Sequence, residues 1–419
     1  MTLILERPQI LNMSLPHSVL QARISFWKNE TEDMLAGLLR CSGYPENEID
    51  EYRGFYSAYI IPQLGPTPAE FGGRPSSYMG DDFTPIEFSW AIGPDGTQAV
   101  RFTMEPLSPL DGTPTPESTW ISSLQSLGHF ASSNGFDLTW SNICRRALVQ
   151  GLSNQDICSS KHGSQFSVGC DFTRNGALIG KAYFLPHIRS KSTGIPSYTL
   201  VADCMQNLGL ETPWRTVHEF IQTLPQDIEA TPEIVSVDCL EPSKNRAKVY
   251  MRTNAASLAT ISEIMTLGSA LTDPVVTDTV RTLERLWRLL FPNAADTTSI
   301  PSRNSHHYAN GFVVYFEMTL GSPFPLPKVY IPVRHYCKDD RFVAEAISSY
   351  FINSAEGSAT VENIKALFTH RSLDSRTGIY TYVGCAARKA GPQVSLYLSP
   401  EVFAPERQVN AAHDITLGS

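Results

Sequence analysis

Three short segments of the sequence place a lysine two residues before a tyrosine. These pairs are Lys181 and Tyr183, Lys248 and Tyr250, and Lys328 and Tyr330. Because residues i and i+2 of a β-strand point to the same side, each pair shares one strand face. A single pair of this kind is typical of a solvent-exposed strand face, but three pairs at equivalent places indicate a common site.

Other polar residues occupy comparable places in strand-like segments. Arg101 alternates with apolar neighbours in AVRFTME, and Arg246 lies two residues before Lys248. Tyr382 and Tyr397 lie in the last two strand-like segments. Cations that meet away from water need an anion, and guanidinium and ammonium groups suit a diphosphate. Desolvated tyrosine rings attract a carbocation by roughly 1–2 kcal/mol each. The pattern therefore predicts a site for a polyanion such as a diphosphate, with a carbocation formed beside it.

The strand-like segments that must position these residues come in pairs. In TPIEFSWAI, Ile86, Phe88 and Trp90 share one face, and GPDG signals a hairpin turn before AVRFTME. The further pairs are QFSVGCDF with ALIGKAYFLP, EIVSVDCL with NRAKVYMRT, GFVVYFEMTL with PKVYIPV, and GIYTYVGCAAR with PQVSLYLSP. Stretches with helical spacing, such as PESTWISSLQSLGHFASS and VVTDTVRTLERLWRLLF, lie between the pairs.

Five hairpins separated by helical stretches predict an α+β fold with ten antiparallel strands. A period this regular, with no linker, indicates a single domain over residues 1–419. We expect a helical segment at about 1–65 and the strands at about 83–400. Apolar faces turned toward outer helices and polar faces toward a lumen favour a closed barrel, which also removes exposed sheet edges. A large open sheet with helices on one face is the alternative.

The composition excludes several classes of protein. The formal net charge of −9 argues against a general nucleic-acid binder, which presents a basic surface. No apolar run reaches the ~18 residues of a membrane span, and the N-terminus lacks the features of a secretion signal. Eight scattered cysteines without a CxxC pair fit neither a zinc site nor a disulfide framework. We expect a reduced, cytoplasmic protein with no nucleic-acid or membrane partner.

Sequence motifs for nucleotides and metals give no support to a bound cofactor. Neither GxxxxGK[ST] nor GxGxxG before a helix occurs, which argues against a nucleotide-binding loop. His306 and His307 are a candidate metal pair, but such residues are more typical of a polar loop. The aspartate pairs at 81–82 and 339–340 do not form a DDxxD motif. We therefore expect no cofactor and no metal. Cationic side chains would hold the diphosphate in place of a metal ion.

From about residue 50 to about residue 400, the sequence resembles the fungal aromatic (indole) prenyltransferases of the dimethylallyltryptophan synthase family. The resemblance rests on TPIEFS, KAYFLP, NRAKVY, PKVYIP and the final two tyrosines, fifteen residues apart. It implies the ABBA prenyltransferase barrel, in which ten antiparallel strands lie inside a ring of helices. It also implies metal-independent transfer of a dimethylallyl group from the co-substrate dimethylallyl diphosphate to an aromatic small molecule in secondary metabolism.

The resemblance implies a role for each matching residue. It assigns the diphosphate to five cations: Arg101, Lys181, Arg246, Lys248 and Lys328. It assigns a shield around the dimethylallyl cation to five tyrosines: Tyr183, Tyr250, Tyr330, Tyr382 and Tyr397. Lys328 stands where some members have glutamine. Glu87 matches a catalytic-site glutamate that accepts a hydrogen bond from the indole N–H; the alternative is a lumen carboxylate paired with Arg101 or a nearby lysine.

Two positions depart from members that alkylate free tryptophan. Ser167 stands where some of them place a lysine that takes the ring proton, so Glu87, water and diphosphate are all candidates for the base. Glu233 stands thirteen residues before Arg246, where those members place an arginine that meets the amino-acid carboxylate. A carboxylate there would repel free tryptophan. We therefore predict an indole acceptor without a free carboxylate, such as a tryptophan-containing cyclic dipeptide.

Other interpretations stay open from the sequence. Glu233 could instead be an exposed residue at a strand start, with the carboxylate bound elsewhere. A phenolic or polyketide acceptor would use the same donor site and differ only in the acceptor pocket. A non-catalytic binder of a phosphorylated ligand would need the cations but not five tyrosines. The oligomeric state, with a homodimer as a candidate, and the length of the prenyl chain are also open.

Overall fold

Ten β-strands form a closed barrel in the computed structural model, which describes residues 15–71, 77–108, 110–114, 124, 136–158, 162–174, 176–307, 309–351 and 360–407. The strands are β1 Ile86–Ile92, β2 Gln98–Met104, β3 Phe166–Phe172, β4 Leu178–Phe184, β5 Ala230–Asp238, β6 Ala247–Thr253, β7 Phe312–Met318, β8 Leu326–Ile331, β9 Tyr380–Ala386 and β10 Gln393–Leu398. Each strand pairs antiparallel with its neighbours in the chain, and β1 pairs with β10. This confirms the predicted barrel and its five hairpins.

Helices lie between the hairpins along the described parts of the chain. They are α1 His17–Trp27, α2 Asp33–Cys41, α3 Glu46–Phe55, α4 Pro68–Phe71, α5 Thr139–Leu148, α6 Asn154–Cys158, α7 His187–Thr193, α8 Ser197–Asn207, α9 Glu211–Ile221, α10 Leu258–Thr266, α11 Pro274–Leu290, α12 Val333–Tyr336, α13 Asp340–Tyr350 and α14 Thr360–Leu367. Of the helix predicted for PESTWISSLQSLGHFASS, all but Leu124 lies outside the described residues. Within the described ranges, none of the helices has the length and apolar character that crossing a membrane would require.

Alternation along each strand separates the apolar core from the lumen. In β7, Phe312 and Phe316 are fully buried on the outer face, where Phe312 stacks on Trp287 of α11 with ring centroids 5.6 Å apart. Burial of each such side chain stabilises the fold by roughly 1.5–3 kcal/mol. Tyr315 and Glu317, on the alternate positions, face the lumen. The core therefore lies between barrel and helices, and the lumen is left for polar side chains.

Strand β9 departs from regular pairing beside the lumen. The pairing between β9 and β10 shifts register at this point. Tyr380 and Tyr382 are both paired with β10, and Thr381 is an extra residue between them. A β-bulge of this kind redirects a side chain and occurs often next to active sites. Asp340 of α13 accepts a hydrogen bond from the main-chain N–H of Tyr380 at 2.9 Å and so fixes the entry to the bulge.

Gly311 and Gly321 flank β7, and both have a positive φ, of +98° and +78°. An added Cβ at Gly311 would lie 2.5 Å from the main-chain oxygen of Thr253, whereas none of the described atoms lies within 4 Å of one at Gly321. We expect Gly321→Ala to lower the free energy of unfolding by about 1 kcal/mol, the cost of the left-handed backbone. Gly311→Ala should lower it by a further ~1–3 kcal/mol through overpacking. Chemical denaturation of both variants measures this difference, and equal losses would contradict the close approach to β6.

Candidate active site

The lumen-facing side chains enclose a cavity of about 410 Å³, which is a suitable size for small organic ligands. All eleven residues that the sequence singles out for the site line this cavity: Glu87, Arg101, Lys181, Tyr183, Arg246, Lys248, Tyr250, Lys328, Tyr330, Tyr382 and Tyr397. Ten of them lie on seven of the ten strands, β1, β2, β4, β6, β8, β9 and β10, and Arg246 directly precedes β6. Closure of the barrel is therefore what brings them together.

One end of the cavity holds cations that are paired with buried carboxylates. Asp238 of β5 accepts hydrogen bonds from Arg246 at 2.7 Å and from Lys248 at 2.9 Å. Although burial opposes it, these two cations hold the pKa of Asp238 well below its usual range. Glu317 of β7 lies 3.5 Å from Arg246 and pairs with Arg388. Burial raises the pKa of Glu317, but the two guanidinium groups lower it to about 2. Both carboxylates are therefore ionised at neutral pH.

A third carboxylate completes this end of the cavity. Asp171 of β3 lies 3.2 Å from Arg101 and forms an ion pair with Lys181. Burial raises the pKa of Asp171, but Lys181 and Arg101 together lower it below its usual value. Burial lowers the pKa of Arg101, but the neighbouring Asp171 carboxylate raises it, and the net pKa is above its usual value. Asp171 thus favours the charged form of Arg101 and fixes the positions of both cations.

The cations outnumber the carboxylates at this end. Six cationic side chains face three carboxylates: Arg101, Lys181, Arg246, Lys248, Lys328 and Arg388 against Asp171, Asp238 and Glu317. Burial lowers the pKa of Lys248 to about 8 although Asp238 opposes the shift, and an added anion would favour its charged form. A buried excess of positive charge suits a polyanion that accepts several charge-assisted hydrogen bonds, such as a diphosphate.

Tyrosine rings form the next layer of the lumen. The centroid of the Tyr330 ring lies 5.0 Å from that of Tyr397, 5.8 Å from Tyr382 and 5.9 Å from Tyr250. Tyr183 joins the layer through Tyr250, at 6.3 Å. These distances are typical of tilted aromatic contacts, in which ring faces stay available to a further group. The layer therefore presents several π-faces to the middle of the cavity.

Lys328 belongs to the tyrosine layer as well as to the cationic end. Its Nζ atom donates a hydrogen bond to the Tyr397 hydroxyl at 2.7 Å and lies 4.7 Å from the centroid of the Tyr330 ring. Burial, together with Arg101 and Arg388, lowers the pKa of Lys328 well below its usual value. The side chain therefore forms the boundary between the cations and the rings.

Glu87 is the acidic group beyond the tyrosine layer. The Thr381 hydroxyl, carried by the β9 bulge, donates a hydrogen bond to Glu87 Oε1. Burial raises the pKa of Glu87 to about 7, although the Thr381 bond and the Arg334 charge act in the opposite direction. Among the described contacts, Glu87 forms no ion pair with Arg101 or with a lysine. A carboxyl group with this pKa can accept a proton near neutral pH.

Two arginines that the sequence analysis did not single out lie beside Tyr382, and both pair with carboxylates. Arg252 of β6 donates to both oxygens of Glu233 at 2.9 Å and to the main-chain oxygen of Ala309 at 2.7 Å. Arg334 of α12 lies 3.2 Å from Asp81 and donates to the Tyr382 hydroxyl at 3.1 Å. The positive charge at this end of the cavity is therefore balanced within the protein.

The prediction for Glu233 needs a correction. Glu233 lines the cavity, so the alternative of an exposed strand-start residue is wrong. It is an extra residue in β5, because Pro232 and Ile234 are the residues paired with β6. The bidentate ion pair with Arg252 neutralises its charge, and repulsion by an isolated carboxylate is therefore not what Glu233 contributes.

Asp81, His307 and His335 form a group whose donor atoms lie within 4.8 Å of one another. Burial lowers the pKa of His307 to about 4, so its ring is neutral. Its Nδ1 accepts a main-chain N–H at 3.1 Å, which places the ring hydrogen on Nε2, the atom that faces Asp81. The Arg334 guanidinium also lies beside Asp81. The group fits a hydrogen-bonded cluster better than a metal centre, and His306 is exposed.

The sequence analysis missed further residues of the site. They are Tyr315, Glu317, Asp171, Asp238, Arg252, Arg388, Arg334 and Thr381. The first five lie on strands at alternate positions that face the lumen, so the alternation that identified the lysine–tyrosine pairs was sufficient to find them. Arg388 follows β9, Arg334 lies in a four-residue helix and Thr381 lies in a bulge. No periodic pattern marks these three.

Comparisons with known proteins agree with this geometry. The family model described as tryptophan dimethylallyltransferase matches residues 24–361. The 4-O-dimethylallyl-L-tyrosine synthase of Claviceps purpurea is 31% identical over 90% of this chain and 88% of its own length. The 7-dimethylallyltryptophan synthase hasE of Aspergillus fumigatus is 28% identical over 94% of this chain and 89% of its own length. The crystal structure of AnaPT from Neosartorya fischeri has the same fold, with a TM-score of 0.78 at 23% identity, over 90% of this chain and 94% of that chain.

Arg388 tests the anion-binding end of the cavity. Arg388→Gln removes a guanidinium that contacts Glu317 and the Tyr315 hydroxyl, whereas Lys389→Gln removes an exposed charge next to it. We expect Arg388→Gln to weaken the binding of inorganic diphosphate about ten- to a hundred-fold, the effect of losing a hydrogen bond to a charged group. Isothermal titration calorimetry of both variants measures the change. Equal affinities in wild type and Arg388→Gln would show that the anion binds elsewhere.

Proposed function

Because the chain belongs to the tryptophan dimethylallyltransferase family and is an aromatic prenyltransferase, we propose that it transfers a dimethylallyl group from dimethylallyl diphosphate to a small aromatic acceptor. The observation that carries the proposal is the order of three layers along the lumen. Buried cations lie at one end, tyrosine rings in the middle and the Glu87 carboxyl group beyond them. This order matches the diphosphate, the allyl group and the acceptor of such a reaction.

In the proposed reaction the cations bind the diphosphate and stabilise it as it departs. Lys181, Arg246 and Lys248 are held by Asp171 and Asp238, so the donors need little reorganisation when charge develops on the leaving group. Preorganised donors in a site that excludes water are usually the largest contribution to catalysis. We propose that these side chains also make a metal ion unnecessary, because they supply the positive charge that magnesium would otherwise supply.

The tyrosine layer would stabilise and protect the dimethylallyl cation. A cation at a desolvated ring face gains roughly 2 kcal/mol per ring. Tyr183, Tyr250, Tyr330, Tyr382 and Tyr397 would share this role, and Tyr315 extends the same layer with its ring 5.0 Å from that of Tyr250. The rings also exclude water, which would otherwise capture the cation as an alcohol.

Glu87 would hold the acceptor and receive its proton. An indole N–H or a phenol O–H placed beside Glu87 can donate a hydrogen bond to the carboxylate, which directs the electron-rich ring toward the tyrosine layer. Ser167 gives this chain a hydroxyl where some relatives are expected to use a lysine, and it lies 3.1 Å from the Tyr78 hydroxyl. Glu87 is therefore our candidate for the base.

We propose that the preferred acceptor is an indole without a free carboxylate, such as a tryptophan-containing cyclic dipeptide. The support comes from the internal pairing of Arg252 with Glu233 and of Arg334 with Asp81. An acceptor carboxylate would have to displace one of these ion pairs, and breaking a buried pair is costly. A neutral acceptor avoids that cost.

A phenolic acceptor, L-tyrosine among them, is the second candidate. The relative from Claviceps purpurea is named for 4-O-prenylation of L-tyrosine and is more similar to this chain than the tryptophan enzyme from Aspergillus fumigatus. A carboxyl group with a pKa near 7 also suits the removal of a phenol proton. This candidate uses the same donor site and the same base.

The reaction is tested by incubating the protein with dimethylallyl diphosphate and excess EDTA. We expect a mass increase of one dimethylallyl group on a tryptophan-containing cyclic dipeptide, with kcat/KM at least about tenfold above that for L-tryptophan and L-tyrosine, the factor that corresponds to ~1.4 kcal/mol. Mass spectrometry identifies the products, and addition of magnesium serves as the control.

Other outcomes of this incubation would change the proposed acceptor, the proposed role of the cations or the proposed activity. Tenfold preference for L-tyrosine would replace the indole by the phenolic acceptor, and tenfold preference for L-tryptophan would show that the paired arginines do accept a carboxylate. Activity that disappears in EDTA and returns with magnesium would contradict the role of the cations. Diphosphate binding without any prenylated product would favour the non-catalytic binder.

The pKa of Glu87 predicts the pH dependence of the reaction. Because burial raises this pKa to about 7, the carboxyl group is mostly protonated below that pH and cannot accept a proton. We expect kcat/KM to fall about tenfold per pH unit on the acid side of 7 and to level off above it. Glu87→Gln should lower the plateau and abolish this dependence. A profile of the same shape in the variant would assign the titration to another group.

A further inference from the structure

A second cavity, of about 260 Å³, lies directly behind the acceptor end of the lumen. Arg334 borders both cavities and forms part of the wall between them. The second cavity is lined by polar side chains, among them Asp82, Thr381, Ser399 and Glu401. A polar cavity of this size has room for water molecules with several hydrogen-bond partners each. We refer to it as the side cavity.

A hydrogen bond crosses the wall between the lumen and the side cavity. Glu87 lines the lumen, Thr381 lines the side cavity, and the Thr381 hydroxyl donates to Glu87 Oε1. The bulge in β9 makes this contact possible, because Thr381 is the extra residue and leaves the alternation of the strand. Glu87 therefore faces the lumen and is hydrogen-bonded to a residue of the side cavity.

We propose that Thr381 and the side cavity form the exit route for the proton that Glu87 takes from the acceptor. The inference rests on the proposed function, since it concerns the fate of the proton that prenyl transfer releases. Thr381 touches Glu87 and is a positioning residue: it orients the carboxylate and connects it to water outside the lumen.

Proton transfer accompanies the formation of the new bond to the acceptor. When the acceptor forms its new bond to the dimethylallyl carbon, its N–H, C–H or O–H bond breaks, the electron pair stays on the acceptor and the proton goes to Glu87. Protonated Glu87 then donates to the Thr381 oxygen, while the Thr381 hydroxyl proton passes to a water molecule in the side cavity. That water carries the proton to solvent, and Glu87 returns to its ionised form for the next turnover.

The surroundings of Glu87 favour release of the proton through the side cavity over release through the lumen. On the lumen side the proton would have to cross the tyrosine layer and enter a region where Arg101, Lys328 and Arg388 lie close together, and positive charge opposes that path. Two arginines also line the side cavity, but Arg334 is paired with Asp81 and Arg376 with Glu401 and Glu406. The Asp82 carboxyl group lines the same cavity and forms no ion pair among the described contacts. Burial raises the pKa of Asp82, which makes its carboxyl group a better proton acceptor than an exposed aspartate.

Three variants test the route. Thr381→Val removes the hydroxyl and keeps the branched shape, Thr381→Ser restores the hydroxyl, and Thr377→Val removes another hydroxyl from the same side cavity that donates to a main-chain oxygen instead of to Glu87. Two readouts are compared in all three. The pKa of the Glu87 carboxyl group is measured by NMR of ¹³C-labelled glutamate, with Glu87→Gln for assignment, and kcat, KM and the solvent isotope effect are measured for prenyl transfer.

We expect Thr381→Val to raise the pKa of Glu87 by about one unit, because the ionised form loses a donor. Its kcat should fall about tenfold or more with little change in KM, and its solvent isotope effect should increase, because proton release becomes slow. Thr381→Ser should restore wild-type values, and Thr377→Val should leave them unchanged.

Failure of the route and failure of the proposed function are distinguishable. A wild-type protein that forms no prenylated product contradicts both the proposed function and this route. Normal prenyl transfer by Thr381→Val, with kcat and the isotope effect unchanged, overturns the exit route alone. A shifted Glu87 pKa with unchanged kinetics also overturns it, because Thr381 would then tune the carboxyl group without carrying the proton.

Discussion

The structure depends on holding an excess of positive charge inside a closed barrel. A buried cation without a partner would lose its charge or destabilise the fold. Asp171, Asp238 and Glu317 prevent this, because each lies between two cations and stays ionised. The remaining positive charge is what suits this end of the lumen to a polyanion. The carboxylates therefore do as much to form the site as the lysines and arginines that would contact the ligand.

Barrel closure makes this arrangement possible. The outer faces of the strands bury the apolar core against the helices, so the lumen is free to carry polar side chains at a depth where water is scarce. Contacts across the lumen then group these side chains. The cations share the carboxylates of Asp171, Asp238 and Glu317, and the tyrosine rings pack on one another. Cations, rings and the Glu87 carboxyl group follow one another along the lumen, which is the order on which the proposed function rests.

Local irregularities shape the part of the cavity that Glu87 and Glu233 line. Glu233 and Thr381 are both extra residues in bulged strands, and each contacts a partner that regular alternation would not place beside it. At the cationic end, four side chains occupy regular strand positions: Arg101, Lys181, Lys248 and Lys328. Arg246 directly precedes β6, and Arg388 follows β9. A bulge can redirect one side chain while the strand pairing on either side of it is kept, so both contacts form without disrupting the barrel.

The sequence by itself determined the ten strands, their pairing in hairpins and the lumen positions of the lysine–tyrosine pairs. Strict alternation is a local property, so Lys181 and Tyr183 share a face whatever the rest of the chain does. Only the tertiary structure decided which carboxylate meets which cation, because Asp171 and Glu317 reach their partners across strands that are distant in the chain. It also decided the positions of Arg334, Arg388 and Thr381. These residues lie in a short helix, beyond a strand end and in a bulge, where no sequence period applies and packing alone directs the side chain.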